Sequence, residues 1–253
     1  AAVVSDSAVL LAGVALATTV LSGLFAVMVT RPASGVLATV REVAIAVGTA
    51  AIGALAVSAY EPGVDPARFR WVALVAALLA VLVLVDGLGA GLHGLGRRGL
   101  FLMIGGAVFL LAAVAYGEAL TRWGSPSIVH FIADTRTMLV DHVGAVPHPV
   151  PALLGVPALA WGVFMRARRR QGWWACAFGV AATTATAAAL VDPTVTLHRA
   201  GLGEALSLLV GLLLGYAVIR LDLFVTGPRG RRARQDEEAH ALRPEPGRTR
   251  ALR

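Results

Sequence analysis

Met165-Arg166-Ala167-Arg168-Arg169-Arg170-Gln171-Gly172-Trp173-Trp174 puts four arginines and two tryptophans into ten residues, with an apolar run on either side. Arginine clusters in short loops stay on the cytoplasmic side of a bilayer, and tryptophans settle at the headgroup level. If the flanking runs span a membrane, this loop decides how the whole chain is threaded.

The composition supports that condition. Of 253 residues, 57% are hydrophobic and 15% charged, and the mean hydropathy is +0.76. A soluble domain carries about 25% charged residues. These are the proportions of a polytopic membrane protein, with no room for a large soluble domain. The formal charge is +7, and every basic residue is arginine. Without a lysine, a retinal-type Schiff base has no amine to form on. The positive excess sits in residues 166–170 and in the tail, where membrane orientation accounts for it, so nucleic acid is not an expected partner. Cys176 is the one cysteine, which rules out a disulfide within the chain. Arginine-only, alanine-rich usage points to a bacterial source and hence to the cytoplasmic membrane.

Outward from the arginine loop, the apolar runs read as seven spans of an all-α bundle, near 8–30, 43–60, 71–93, 100–121, 149–165, 173–191 and 202–224. A bilayer takes about 20 apolar residues per helix. No positive segment precedes the first run, so it reads as a span and not as a cleaved signal. Arg31-Pro32-Ala33-Ser34-Gly35 and Glu61-Pro62-Gly63-Val64-Asp65-Pro66 are loops. Arg41 and Glu42 fall at the start of the second run, at the membrane surface. Pro157 interrupts the short fifth run. Residues 227–253 form a charged, Pro-containing tail without the apolar content to build a core.

Between spans four and five, Ser125-Pro126-Ser127 opens a different kind of segment. Ile128, Phe131, Ile132, Met138, Leu139 and Val143 share one broad face, with His130, Asp134 and Asp141 on another. This is an amphipathic helix lying on the membrane or over the bundle. With residues 166–170 inside, the Arg31–Arg41 and Arg97–Arg98 segments and the tail are inside too. The reading is N-terminus out, C-terminus in.

Four of the six histidines, His130, His142, His148 and His198, then lie on the outer face with Asp134, Asp141 and Asp192. His130 and Asp134 are spaced i, i+4 and share a helical face. With Asp141 and His142 they form the candidate catalytic group. His130, Asp134, His148, Asp192 and His198 are the candidate ligands for a divalent metal. No other cofactor is expected. P-loop, dinucleotide, nucleophile-elbow and haem signatures are all missing. Two ionisable residues fall within spans. Asp86 lies about two-thirds through the third and is a candidate coupling group. Glu118 sits i, i+4 from Arg122 beside Tyr116 and Trp123, as an interfacial ion pair. Gly211–Gly215 and Gly87–Gly91 have the small-xxx-small spacing of helix contacts in lipid. Thr183, Thr184 and Thr186 read as packing residues.

These features favour a non-enzymatic scaffold, assembly or accessory component, with the bilayer and other membrane proteins as partners. The alternatives are an outer-face lipid or envelope-precursor hydrolase or transferase, and a small-solute or proton-coupled transporter.

Overall fold

The computed structural model is all-α and describes residues 8–59, 63–87, 96–168, 172–191 and 195–226, with the isolated Ala239. The first helix, α1, covers Ala8–Val29, and α2 covers Val36–Ser58. Between them, Gly35 takes an extended backbone at the α2 N-cap, and its carbonyl accepts from the Thr39 N–H and hydroxyl at 2.9 and 3.0 Å. Arg41 and Glu42 therefore lie within the helix and not at its start. Helix α3 covers Pro66–Gly87. Asp65 caps it, its Oδ1 accepting from the Arg68 N–H at 2.7 Å, and Pro66 fills the first position, where no N–H is needed. That cap starts the helix five residues earlier than expected.

Helix α4 covers Gly96–Trp123 and α5 covers Pro126–Val143. Gly144, at φ +87°, ends α5 in a left-handed turn that only glycine adopts without strain. A π-helical turn at Pro151–Gly155 leads into α6, Val156–Arg166. Pro157 has no N–H, and its ring crowds the carbonyl four residues back, which widens the turn before it. Helix α7 covers Gly172–Ala177, α8 covers Val180–Val191 and α9 covers Leu197–Thr226.

Five helices, α1 to α4 and α9, are long and apolar enough to cross a membrane. The fifth and sixth expected spans are not. The fifth is a 16-residue piece, Pro151–Arg166, bent by its prolines, and the sixth is broken at Phe178-Gly179 by short-range turns. Together they fold into an antiparallel hairpin. Gly155 packs on the backbone of Ala182, and Gly162 on the backbone of Cys176. An absent Cβ at each contact brings the two arms together.

This hairpin is the centre of the molecule. Val156, Leu159, Val163, Trp173, Cys176 and Val180 are fully buried, and α1, α2, α3 and α9 pack around them. The tryptophan pair is thus interior and does not face a headgroup layer. The long helices are the reverse, with only 11–39% of each apolar window buried. Phe25, Ile52, Val83, Phe109, Leu213 and Phe224 point outward. Apolar helices with so much exposed apolar surface need an apolar solvent, which is lipid. The chain is a multi-pass membrane protein.

Helix α5 buries none of its residues. Ile128, Phe131 and Met138 are exposed along one flank, as an interfacial helix requires. The Gly211–Gly215 face is used inside the chain: Gly211 meets Val156, and Gly215 meets Ala160 and Pro157. It is not free to recruit another membrane protein.

Candidate functional site

Two buried polar centres lie at opposite ends of the hairpin. The first is at its tip. Arg166 is fully buried, with its guanidinium carbon 3.6 Å from the Trp173 ring centroid. It donates to the carbonyl and the hydroxyl of Thr30, both at 3.0 Å. The Ala33 N–H reaches the Val163 carbonyl at 3.2 Å. Glu42, also fully buried, accepts from the Arg31 backbone at 2.8 Å and from the Arg41 side chain at 2.8 and 3.1 Å. The Arg166–Thr30 and Ala33–Val163 bonds close the α1–α2 loop over the hairpin tip. A cation on an indole face, with carbonyl acceptors behind it, is a tether.

The second centre is at the hairpin's mouth. His148 stands in Pro147-His148-Pro149-Val150-Pro151, where Pro149 disfavours helical backbone at His148, and the chain turns helical only from Pro149 onward. Its N–H donates to the Ser207 hydroxyl at 2.7 Å, and that hydroxyl donates to the Gly203 carbonyl at 2.7 Å. Its ring lies against Gly203, where a Cβ would come within 3.2 Å of Nε2. Burial, and then the charge of Arg70, hold the imidazole pKa below its ordinary 6.5. The ring is therefore neutral near pH 7, and its Nε2 is buried without a hydrogen-bond partner among the described residues.

Next to Gly203 is Glu204, only 7% exposed, with the Thr186 side chain of α8 beside it. Neither Glu204 oxygen, nor the Thr186 hydroxyl, has a hydrogen bond of ordinary geometry among the described residues. Thr183 and Thr184 differ in this respect, since both donate to the Val180 carbonyl. Arg70 connects the mouth to the C-terminal end of α4. It donates to Glu118 at 3.3 Å, joined by Trp71 Nε1 at 3.0 Å and Arg122 at 2.9 Å. The expected Glu118–Arg122 pair is thus present, within a larger set of contacts that crosses to α3.

The other anticipated residues are placed differently. His130, Asp134, Asp141 and His142 lie exposed on α5, and His142 Nδ1 sits 2.8 Å from the Met138 carbonyl. His198 is exposed in the first turn of α9. Of the proposed ligands only His148 reaches the mouth, and Asp192 lies outside the described residues. Among the described residues, no three His, Cys, Asp or Glu side chains approach closely enough to hold a metal ion. Asp86 is at the half-exposed end of α3, one residue from Gly87, because the Asp65 cap shifts that helix toward the N-terminus. It lies beyond the apolar window that ends at Leu84. Gly91, the far half of the Gly87 pair, is outside the described residues.

Glu204 and Ser207 were legible through one signal. The small-residue series of α9 extends backwards as Gly203, Ser207, Gly211 and Gly215, at intervals of four. All four are buried, and Glu204 borders that stripe. Arg166 and Glu42 carry no such signal, because a charged residue beside a loop reads as solvated.

No family model, curated protein or solved structure matches this chain.

Proposed function

We propose that the protein is a proton-coupled transporter of small solutes in a bacterial cytoplasmic membrane, with Glu204 as the group that takes up and releases the proton. One observation carries this reading. Glu204 is a carboxyl group inside an apolar bundle with both oxygens unpartnered among the described residues. An isolated carboxylate in such surroundings costs several kcal/mol, so it is held by a proton or by a bound cation. Ionisable groups inside membranes that lack a structural partner line ion and proton paths. The Thr186 hydroxyl lies beside Glu204, and the neutral imidazole of His148 lies against the adjoining Gly203, with the Ser207 hydroxyl bonded to the His148 N–H; together they offer the start of a relay. Arg70 reaches His148 with its charge and disfavours a second cation there. His198 and Arg199 lie exposed on the first turn of α9, within two turns of Glu204 along the same helix.

The interrupted hairpin supports the same reading, since discontinuous helices beside a polar site recur in secondary transporters. A scaffold role loses its motive once the Gly211–Gly215 face is occupied by α6. Threading is N-terminus out and C-terminus in. A hairpin that enters and leaves on one side preserves the parity of the seven-span reading. Arg31, Arg41, Arg166 and Arg168 then gather at the cytoplasmic end.

The test uses the purified protein in liposomes. Dicyclohexylcarbodiimide, an apolar reagent for protonated carboxyls, should label Glu204, and labelling should fade as the medium turns alkaline. An imposed pH gradient should drive solute uptake that Glu204→Gln abolishes. A Glu204 that resists the reagent across the whole range, or a Gln variant that moves protons and solute like the wild type, overturns the assignment.

A further inference from the structure

An open groove of about 670 Å³ lies between the start of α3 and the end of α4, away from Glu204. Below it the two helices do not pack along their length; the bridge from Arg70 and Trp71 to Glu118 joins them at this end. The floor is small and apolar, with Ala115, Ala119 and Val72, and its open side continues onto the lipid-facing flanks of both helices. Trp123 stands at the rim, 80% exposed. Arg68 and Arg122 project from the two walls.

The charges do not cancel. Arg68, Arg70 and Arg122 face two acids, Asp65 and Glu118. Both acids are engaged. Glu118 holds Trp71, Arg70 and Arg122, and Asp65 caps α3 through the Arg68 N–H. Arg68 forms no ion pair among the described residues, and the Arg122 side chain remains 62% exposed. A guanidinium offers five N–H donors in a planar fork, and Arg122 commits only its NH2 group to Glu118.

We infer that this groove is a binding site for one anionic phospholipid, its phosphodiester between Arg68 and Arg122 and the upper part of an acyl chain on the alanine floor. Tryptophan and arginine at the mouth of an apolar cleft match the headgroup, glycerol and chain of a lipid in that order. A soluble phosphate ester would use the arginines and leave the apolar floor wet. A zwitterionic lipid would fill the floor and leave the net positive charge unmet. The site is independent of the transport reading and stands or falls without it.

The experiment is native mass spectrometry of the protein released from mixed micelles of phosphatidylglycerol and phosphatidylcholine. The wild type should retain phosphatidylglycerol in preference. Arg68→Gln/Arg122→Gln should lower that preference about thirtyfold, the weight of two surface cations against an anionic lipid. Ala119→Trp fills the floor and leaves both arginines in place; it should lose the retained lipid as well, and it carries the test if the double variant fails to fold. Equal retention of both lipids overturns the proposal. So does undiminished retention in the floor-filling variant, or displacement by glycerophosphoglycerol, which has the headgroup without the chains.

Discussion

His148 is the residue whose surroundings most directly predict a measurable property. Its folded pKa lies below the ordinary 6.5, through burial first and Arg70 second. As pH falls below that ordinary value, the unfolded chain binds the proton before the folded chain does. Stability then decreases with pH until the folded value is passed, and above the ordinary value the group contributes no slope. Thermal unfolding in detergent, followed from about pH 8 to about pH 5, should show this loss, and His148→Gln should flatten it. An unchanged slope in the variant would mean that another group, Glu204 among them, is responsible. Arg166 makes a second residue-scale prediction. Removing a buried cation that is stacked on an indole and bonded to a carbonyl leaves its partners unsatisfied, so Arg166→Ala should destabilise by about 3–5 kcal/mol. Trp173→Leu should recover part of that difference in a double-mutant cycle, because the two side chains share one contact. Additive losses would show that the stacking has no energetic weight.

At the scale of elements, the hairpin depends on missing methyl groups. A side chain at Gly155 or Gly162 would strike the backbone of the opposite arm, at Ala182 and Cys176. Backbone cannot step aside as a rotamer can. Gly162→Ala should therefore cost about 1–3 kcal/mol, the range for overpacking. Gly48, in α2, meets nothing within 4 Å, so Gly48→Ala should be neutral or gain up to about 1 kcal/mol of helix propensity. Unfolding of both variants in a denaturing detergent titration separates the cases, and equal effects would refute the close packing of the arms. The hairpin also shows where apolar periodicity misleads. Residues 149–165 and 173–191 are as apolar as a span, but apolar residues on every side describe a helix buried in protein as well as one surrounded by lipid. Length and breaks separate the two, and Pro151, Pro157 and Gly179 were visible in the chain. The α3 boundary was equally legible in Asp65-Pro66, an N-cap followed by a proline at the first position, which reads as a loop if only the turn residues are weighed.

For the whole molecule, the consequence is sidedness. The hairpin tip lies against the α1–α2 loop, while its mouth lies against the first turns of α9 and the end of α5. A cysteine placed at Arg168 and one placed at His130, each in a Cys176→Ala background, should react with an impermeant maleimide from opposite faces. In intact cells the His130 position should label and the Arg168 position should not, until the membrane is opened. Labelling of both from one face would remove the threading and, with it, the outward exposure of the Glu204 region. Composition alone established that the chain resides in lipid, because so apolar a chain cannot cover itself with polar surface. The sequence pattern also placed α1 and α4 closely, the helix α5, and the Glu118–Arg122 pair, all of which rest on neighbours within a few residues in sequence, while α2 and α9 start seven and five residues earlier than expected. Only the tertiary structure decided that two apolar runs are the core and not the rim, that Arg166 is a buried tether, and that Glu204, and not the exposed α5 histidines, is buried with no hydrogen bond of ordinary geometry to either oxygen among the described residues. Burial and hydrogen-bond satisfaction are properties of contacts between distant segments, and a linear pattern of apolar and charged residues contains no term for them.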